Sequence, residues 1–329
     1  MVFQSSQRLR DKGTNVESAV VLRVEFQSEG TRCAADLYLP SNSSVSGRPA
    51  LVLATGFAGV KESSADAGRF FASAGYPSLA IDYRTFGASE GQPRGQAFPL
   101  REVEDVRNAV TYLENRPEVD ANRIAIWGTS FGGGIVLYAG ALDRRIKLVM
   151  SQIPVVDGRI WHETLRSSEQ YARLLDALDE DRRCRYRGQP SRRVPVTGLT
   201  DRGGDVAMPA DQEIVEMLAA APLSMPTWSA EVTLESVEKA LEFSPESVID
   251  RISPRPLLIT AVTGRDIIHP VRDVIRAYSK AGEPKQLLLL PYDQLGLYGG
   301  PGLQEALGQQ LQFLSTHLPV DGKKGRTIA

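Results

Sequence analysis

Four short apolar runs limit the fold of this chain most strongly. They are 50–54 (Ala50, Leu51, Val52, Leu53, Ala54), 78–81 (Ser78, Leu79, Ala80, Ile81), 124–127 (Ile124, Ala125, Ile126, Trp127) and 146–150 (Ile146, Lys147, Leu148, Val149, Met150). Consecutive apolar residues without polar alternation suit strands that are covered on both faces. Helical periodicity separates the runs. Pro99 suits a first helical turn, and Leu100, Val103, Val106, Val110 and Leu113 then recur three or four apart. Alternating strand and helix predict an α/β fold, a mostly parallel sheet with helices on both faces and a ligand site at the carboxyl ends of the strands. The chain enters this pattern through a hairpin. Val20, Leu22, Val24 and Phe26 alternate, Ser28-Glu29-Gly30 turns, and Cys33, Ala35, Leu37 and Leu39 alternate again, so one hairpin face is expected to be buried.

The alternation lapses between residues 155 and 248 and resumes with the apolar run 256–262, a helix over 271–281, the run 287–290 and a final helix over 303–318. Residues 1–154 and 249–320 are therefore expected to form one core, 155–248 an inserted helical cap, and 321–329 a flexible tail. With 329 residues, 42% of them hydrophobic, the chain can bury a full core. Its 38 basic and 40 acidic residues supply no positive field for nucleic acid. The N-terminus lacks a signal-peptide core and no stretch is long enough to span a bilayer, which predicts a cytoplasmic protein without a membrane partner. Cys33 and Cys184 have no nearby Cys or His companion, so neither a disulfide framework nor a zinc site is expected.

Gly128-Thr129-Ser130-Phe131-Gly132 follows directly on the strand 124–127 and opens a helix rich in small residues. A serine at so sharp a strand-to-helix turn projects its hydroxyl at the sheet edge, and the glycines let strand and helix approach. The Phe131 amide, at the helix start, would face the oxygen of a carbonyl under attack. A second oxyanion donor is expected after the strand 51–54, at the Phe57 amide. The acid that orients a general base should follow a strand beyond the cap; Asp266 in Gly264-Arg265-Asp266-Ile267-Ile268-His269-Pro270 fits, with Asp157 as runner-up.

On these residues, and on Asp82-Tyr83-Arg84-Thr85-Phe86-Gly87-Ala88-Ser89-Glu90-Gly91 as a D-x-R-x-x-G-x-S-x-G segment, the chain resembles the α/β-hydrolase superfamily, especially capped dienelactone-hydrolase-like and polyketide-transferase-type members. The resemblance covers residues 20 to 318 apart from detail in the cap. It implies ester, thioester or amide acyl chemistry on a small-molecule substrate, hydrolytic or acyl-transferring, in a pathway of secondary metabolism. It implies no metal or organic cofactor, and it allows a homodimer.

The resemblance also places the catalytic histidine after the last strand, before a pattern that ends in Tyr. Here Gln294 stands in that place, ahead of Leu295-Gly296-Leu297-Tyr298. A carboxamide has no useful basicity near neutral pH, so a chain with Gln294 in the triad would turn over slowly. Gln294 could be an introduced replacement. The pocket could serve a lyase, a cyclase or ligand sensing. Or another histidine could substitute, with His269 better placed than His162 or His317. In the cap, Trp161, Tyr171, Met217, Met225 and Trp228 are candidates to line an acyl pocket, against simple packing. The arginines of 182–193 read as a solvated face rather than as a docking site for an acidic partner.

Overall fold

The computed structural model describes residues 19–41, 46–199 and 206–320; the tail expected from 321 onward lies outside them. The main sheet has eight strands: β1 (Val20–Ser28), β2 (Thr31–Leu39), β3 (Arg48–Ala54), β4 (Ser78–Ile81), β5 (Val119–Thr129), β6 (Ile146–Gln152), β11 (Leu257–Val262) and β12 (Lys285–Leu290). Their order is β1-β2-β4-β3-β5-β6-β11-β12. β1 pairs antiparallel with β2 and β2 with β4, while every pair from β4 to β12 is parallel. The chain is thus an α/β hydrolase fold of the kind the apolar runs predict.

Strands in the middle of this sheet are dry on both faces. Leu51, Val52, Leu53, Leu79, Ile81, Ile124 and Ile126 are wholly buried. The helices that cover them are α1 (Ala65–Ser73), α2 (Pro99–Glu114), α3 (Phe131–Leu142), α8 (Val271–Lys280) and α9 (Gly300–His317). α2 buries Val103, Val106, Val110 and Leu113, but Leu100, on the same periodicity, is exposed. The two edges also depart from expectation. Val20 and Leu22 do not enter the core: β1 is the outermost strand and both stay in solvent, while Val24 packs half-buried against the core and Phe26 and Ser28 are buried. At the opposite edge β12 leaves Leu289 exposed.

Between β6 and β11 the chain leaves the sheet. It forms α4 (Gly158–Thr164), α5 (Ser168–Tyr186), α6 (Gln212–Ala220) and α7 (Leu234–Leu241), with four three-residue strands, β7 (Arg193–Pro195), β8 (Thr197–Leu199), β9 (Met208–Ala210) and β10 (Glu231–Thr233), paired as β7 with β10 and β8 with β9. This insert starts each of its longer helices with a capping side chain. Ser167 and Gln170 form a reciprocal capping box on α5, and Asp211 accepts from the Ile214 amide on α6. The arginine-rich stretch is neutralised locally: Arg185 pairs with Asp181, Glu235 and Glu238, Arg182 with Glu238, and Arg183 and Arg187 with Glu180.

Candidate active site

β5 ends at Thr129 and α3 begins at Phe131, so Ser130 alone makes the turn, with φ 57° and ψ −126°. A non-glycine residue there carries strain on the order of 1–3 kcal/mol and persists because its surroundings over-determine it. The Ser130 amide donates to Gln152 O at 2.9 Å, and its carbonyl accepts from Gly133 and Val155. Steric closure does the rest. A Cβ on Gly132 would stand 2.2 Å from the Thr55 carbonyl oxygen, and one on Gly128 would stand 2.3 Å from that of Gly132. Helix and strands therefore meet at backbone distance, which the glycine spacing permits.

The loop after β3 runs against this turn: the side that a Gly56 Cβ would occupy lies 3.3 Å from Ser130 Cβ. Among the described residues the Phe57 and Phe131 amides donate to no loop carbonyl or side chain. These are the two amides that the sequence offers as oxyanion donors. The loop is anchored by Asp82, whose carboxylate accepts from the Lys61 amide at 2.7 Å and the Ala88 amide at 2.9 Å. Burial pushes the Asp82 carboxyl up to about 6 against the pull of those two amides. The Asp82–Gly91 segment thus braces the loop after β3. Arg84 adds to it by clamping Asp105 at 2.6 Å and Glu104 at 2.7 Å.

The imidazole beside the serine comes from His269. Ser130 Oγ and His269 Nε2 are 2.8 Å apart, and His269 Nδ1 is 3.1 Å from Asp266 Oδ2. Acid and imidazole lie three residues apart in one loop after β11. That short link is possible because the other Asp266 oxygen accepts from the Ile268 amide at 3.0 Å and the His269 amide at 2.7 Å, which curls the loop round the carboxylate. Burial alone would raise the Asp266 carboxyl. The His269 ring and the two amides outweigh it and hold the group below the usual carboxylate range.

Gln294, expected in the place of the base, has other partners. Its Oε1 accepts from the Ile267 amide at 3.2 Å, its Nε2 donates to Asp211 Oδ2 at 2.9 Å, and its own amide donates to Arg265 O at 2.9 Å. Fully enclosed and fully bonded, it ties the Asp266–His269 loop to the insert. Arg265 reinforces the tie through Asp211, at 2.7 Å. Asp157, the runner-up acid, caps α4 through the Ile160 amide. His317 stacks on Phe313 at the far end of α9, and His162 is buried against Arg166.

Tyr298 is a site residue that motif reasoning passed over. The residue as a whole is 36% exposed, and burial of its ring together with the Asp266 charge raises its pKa against the pull of Ser130. Gln152 holds the preceding turn by donating to Leu297 O at 3.1 Å. The one available signal was the tyrosine that closes the pattern beginning at 294.

Of the five candidate lining residues, Trp161 reaches the site. Its ring lies 5.9 Å from that of Phe57 and 5.7 Å from that of Phe131, and it shares a small cavity with His269. Tyr171, Met217 and Trp228 are half-buried packing residues of the insert, and Met225 is half-buried on a turn. Among the described residues no cluster of three or more His, Cys, Asp or Glu side chains could hold a metal, and no helix is long and apolar enough to cross a membrane.

The profile of the X-Pro dipeptidyl-peptidase (S15) family matches residues 29–242, which takes in Ser130 and the loop after β3 and stops short of Asp266. Quorum-quenching protein AidA of Acinetobacter baumannii is 42% identical over 149 residues, 45% of this chain and 48% of AidA. Polyketide transferase ATR5 of Stachybotrys chlorohalonatus is 30% identical over 82% of this chain and 89% of its own length. The crystal structure of the α/β hydrolase GrgF from Penicillium sp. sh18 has a TM-score of 0.77 at 27% identity, covering 91% of this chain and 99% of that one.

Proposed function

The chain belongs to the X-Pro dipeptidyl-peptidase (S15) family of α/β hydrolases, and on that premise we propose that it is a serine acyl hydrolase or acyltransferase whose general base is His269. Ser130 Oγ attacks the carbonyl carbon of a small-molecule ester or thioester and passes its proton to His269 Nε2. The developing oxyanion is held by the Phe57 and Phe131 amides, and Asp266 stabilises the imidazolium through Nδ1. His269 then returns the proton to the leaving alcohol or thiol, and the acyl group stays on Ser130. Water or an alcohol, deprotonated by the same imidazole, releases it. The insert caps the site, and Trp161 with Phe57 and Phe131 walls the acyl group.

The carrying observation is the 2.8 Å contact of Ser130 with an imidazole that is backed by a buried carboxylate. A lyase or sensor reading drew its force from a missing base, and with His269 on the serine that force is gone. The test is turnover of a short-chain p-nitrophenyl ester and of the matching thioester by the wild-type protein, with Ser130→Ala and His269→Ala each reducing it to background. Turnover that survives in His269→Ala would overturn the assignment.

A further inference from the structure

Across the catalytic loop from Ser130 lies an open cleft of 530 Å³ between the insert and the strand-end loop, with Arg166, Ser167, Asp211, Arg265, Asp266 and Arg272 in its wall. Three of these residues are already matched: Arg265 with Asp211, and Asp266 with His269. Arg166 is not. It is 7% exposed, yet among the described residues it meets no carboxylate. Its guanidinium donates to His162 Nδ1 at 2.9 Å and to the carbonyls of Val206 and Ala207 at 2.8 and 3.1 Å, and its Nε–H has no acceptor. An enclosed cation neutralised by neutral groups alone is costly, whereas a charge partner in a partly dehydrated wall would be held strongly.

The neighbouring side chains lean the same way. Since Arg166 donates to His162 Nδ1, that nitrogen carries the lone pair and Nε2 carries the hydrogen. Burial and the Arg166 charge keep the ring neutral. His162 Nε2 and the adjacent indole Nε1 of Trp161 are buried donors without an acceptor among the described residues, and their rings lie 4.8 Å apart. Among the described residues, the Arg166 Nε–H thus joins the Trp161 and His162 N–H groups as buried donors without an acceptor, and the Arg166 charge has no carboxylate partner.

We propose that this cleft binds an anionic oxygen group of the substrate, a carboxylate or a phosphate, with Arg166 as its counter-charge. The inference rests on the acyl-transfer reading, because the cleft shares Asp266 with the catalytic loop. A carboxylate would belong to the acyl part and a phosphate to the leaving arm. Two matched pairs separate these sources: p-nitrophenyl butyrate against the mono-p-nitrophenyl ester of glutarate, and butyryl-N-acetylcysteamine against butyryl-coenzyme A.

In one pair the anionic member should be preferred by at least about tenfold in kcat/KM. That preference should shrink in Arg166→Gln, be partly kept in Arg166→Lys, and fall with added salt. A preference below about threefold in both pairs, or one that Arg166→Gln leaves intact, overturns the proposal. Calorimetric titration of wild-type protein with inorganic phosphate and with glutarate, against butyramide as uncharged control, reads the same site without turnover. Binding of one dianion, weakened in Arg166→Lys and lost in Arg166→Gln, supports the cleft even if no ester is hydrolysed. Equal or absent binding of all three overturns it. Failure of every ester with retained dianion binding would instead sink the Ser130 chemistry.

Discussion

The turn at Ser130 and the loop that carries His269 serve one hydrogen bond from opposite sides, and they are built by different physics. The turn is held by exclusion: backbone meets backbone at Gly128 and Gly132, and no side chain fits between. The loop is held by polar bonds, with Asp266 gripping two amides and Gln294 gripping a third. Steric necessity leaves a mark in sequence because it restricts residue type at fixed spacing. A hydrogen-bonded loop leaves little mark, since many side chains can supply an acceptor.

The largest expected effect tests whether the loop delivers the base. His269→Ala should lower kcat on an activated ester by about 10⁴- to 10⁶-fold, the range seen when a triad histidine is removed from a serine protease. Asp266→Asn should cost somewhat less, about 10⁴-fold, by loosening the ring rather than deleting it. Steady-state kinetics with a Ser130→Ala baseline measures both. If His269→Ala stays within about tenfold of wild type, the 2.8 Å contact is not catalytic.

The second test breaks the turn. Gly132→Ala would force a methyl against the Thr55 carbonyl, and the backbones of β3 and α3 must part. A loss of about 3 kcal/mol or more is expected in urea unfolding, with activity gone even where the protein folds. An alanine at Gly308, where nothing lies within 4 Å, is the control and should raise stability slightly, because α9 gains a better helix former.

These two effects explain how much was legible. The apolar runs announced β3 to β6 because central strands must be dry on both faces. β1 was misjudged because alternation shows that one face could be buried, whereas the sheet order decides whether anything covers it. The Ser130 turn was readable from glycine spacing, and the position of Asp266 from its place after a strand. The assignment of the imidazole was not. A family pattern put it at 294 and left His269 as a substitute in the loop it shares with Asp266; the two amide bonds by which Asp266 curls that loop and presents the ring are not legible in sequence. Tyr298 and Arg166 were hidden for a similar reason, since their roles depend on which neighbours the tertiary fold supplies.

The two regions should also differ in sign under pH. Asp82 anchors the oxyanion loop with its pKa raised to about 6. It binds protons more tightly folded than unfolded, so the stability it adds is full below the unfolded value near 4 and is lost as pH rises through about 6, on the order of 2–3 kcal/mol. Asp266 is depressed when folded. Its contribution is present above the unfolded value and is lost as pH falls through the folded one. Urea midpoints between pH 3 and 8 for wild type, Asp82→Asn and Asp266→Asn should show the Asp82 difference shrinking with rising pH and the Asp266 difference growing. Parallel curves would mean that the two carboxyls share one environment.

The smallest effect sharpens the comparison most, because it asks whether Gln294 is a disabled base or a tie. As a tie, it satisfies the Ile267 amide and adds a donor to Asp211, and removing it leaves the Ile267 amide without a partner while Asp211 keeps Arg265, at a cost of about 1–3 kcal/mol. Gln294→Ala should therefore lower kcat by about tenfold through slack in the His269 loop and lower the urea midpoint, while the shape of the pH–rate profile is unchanged because the base is the same. Gln294→His offers a ring where a carboxamide was bonded at both ends, and it should weaken activity slightly rather than raise it. The deciding variant combines it with His269→Ala. If the imidazole at 294 restores turnover there, the site accepts a base from either loop and the present Gln294 is a replaceable strut. If it does not, the loop that Asp266 curls is the sole route by which this fold can bring an imidazole to Ser130.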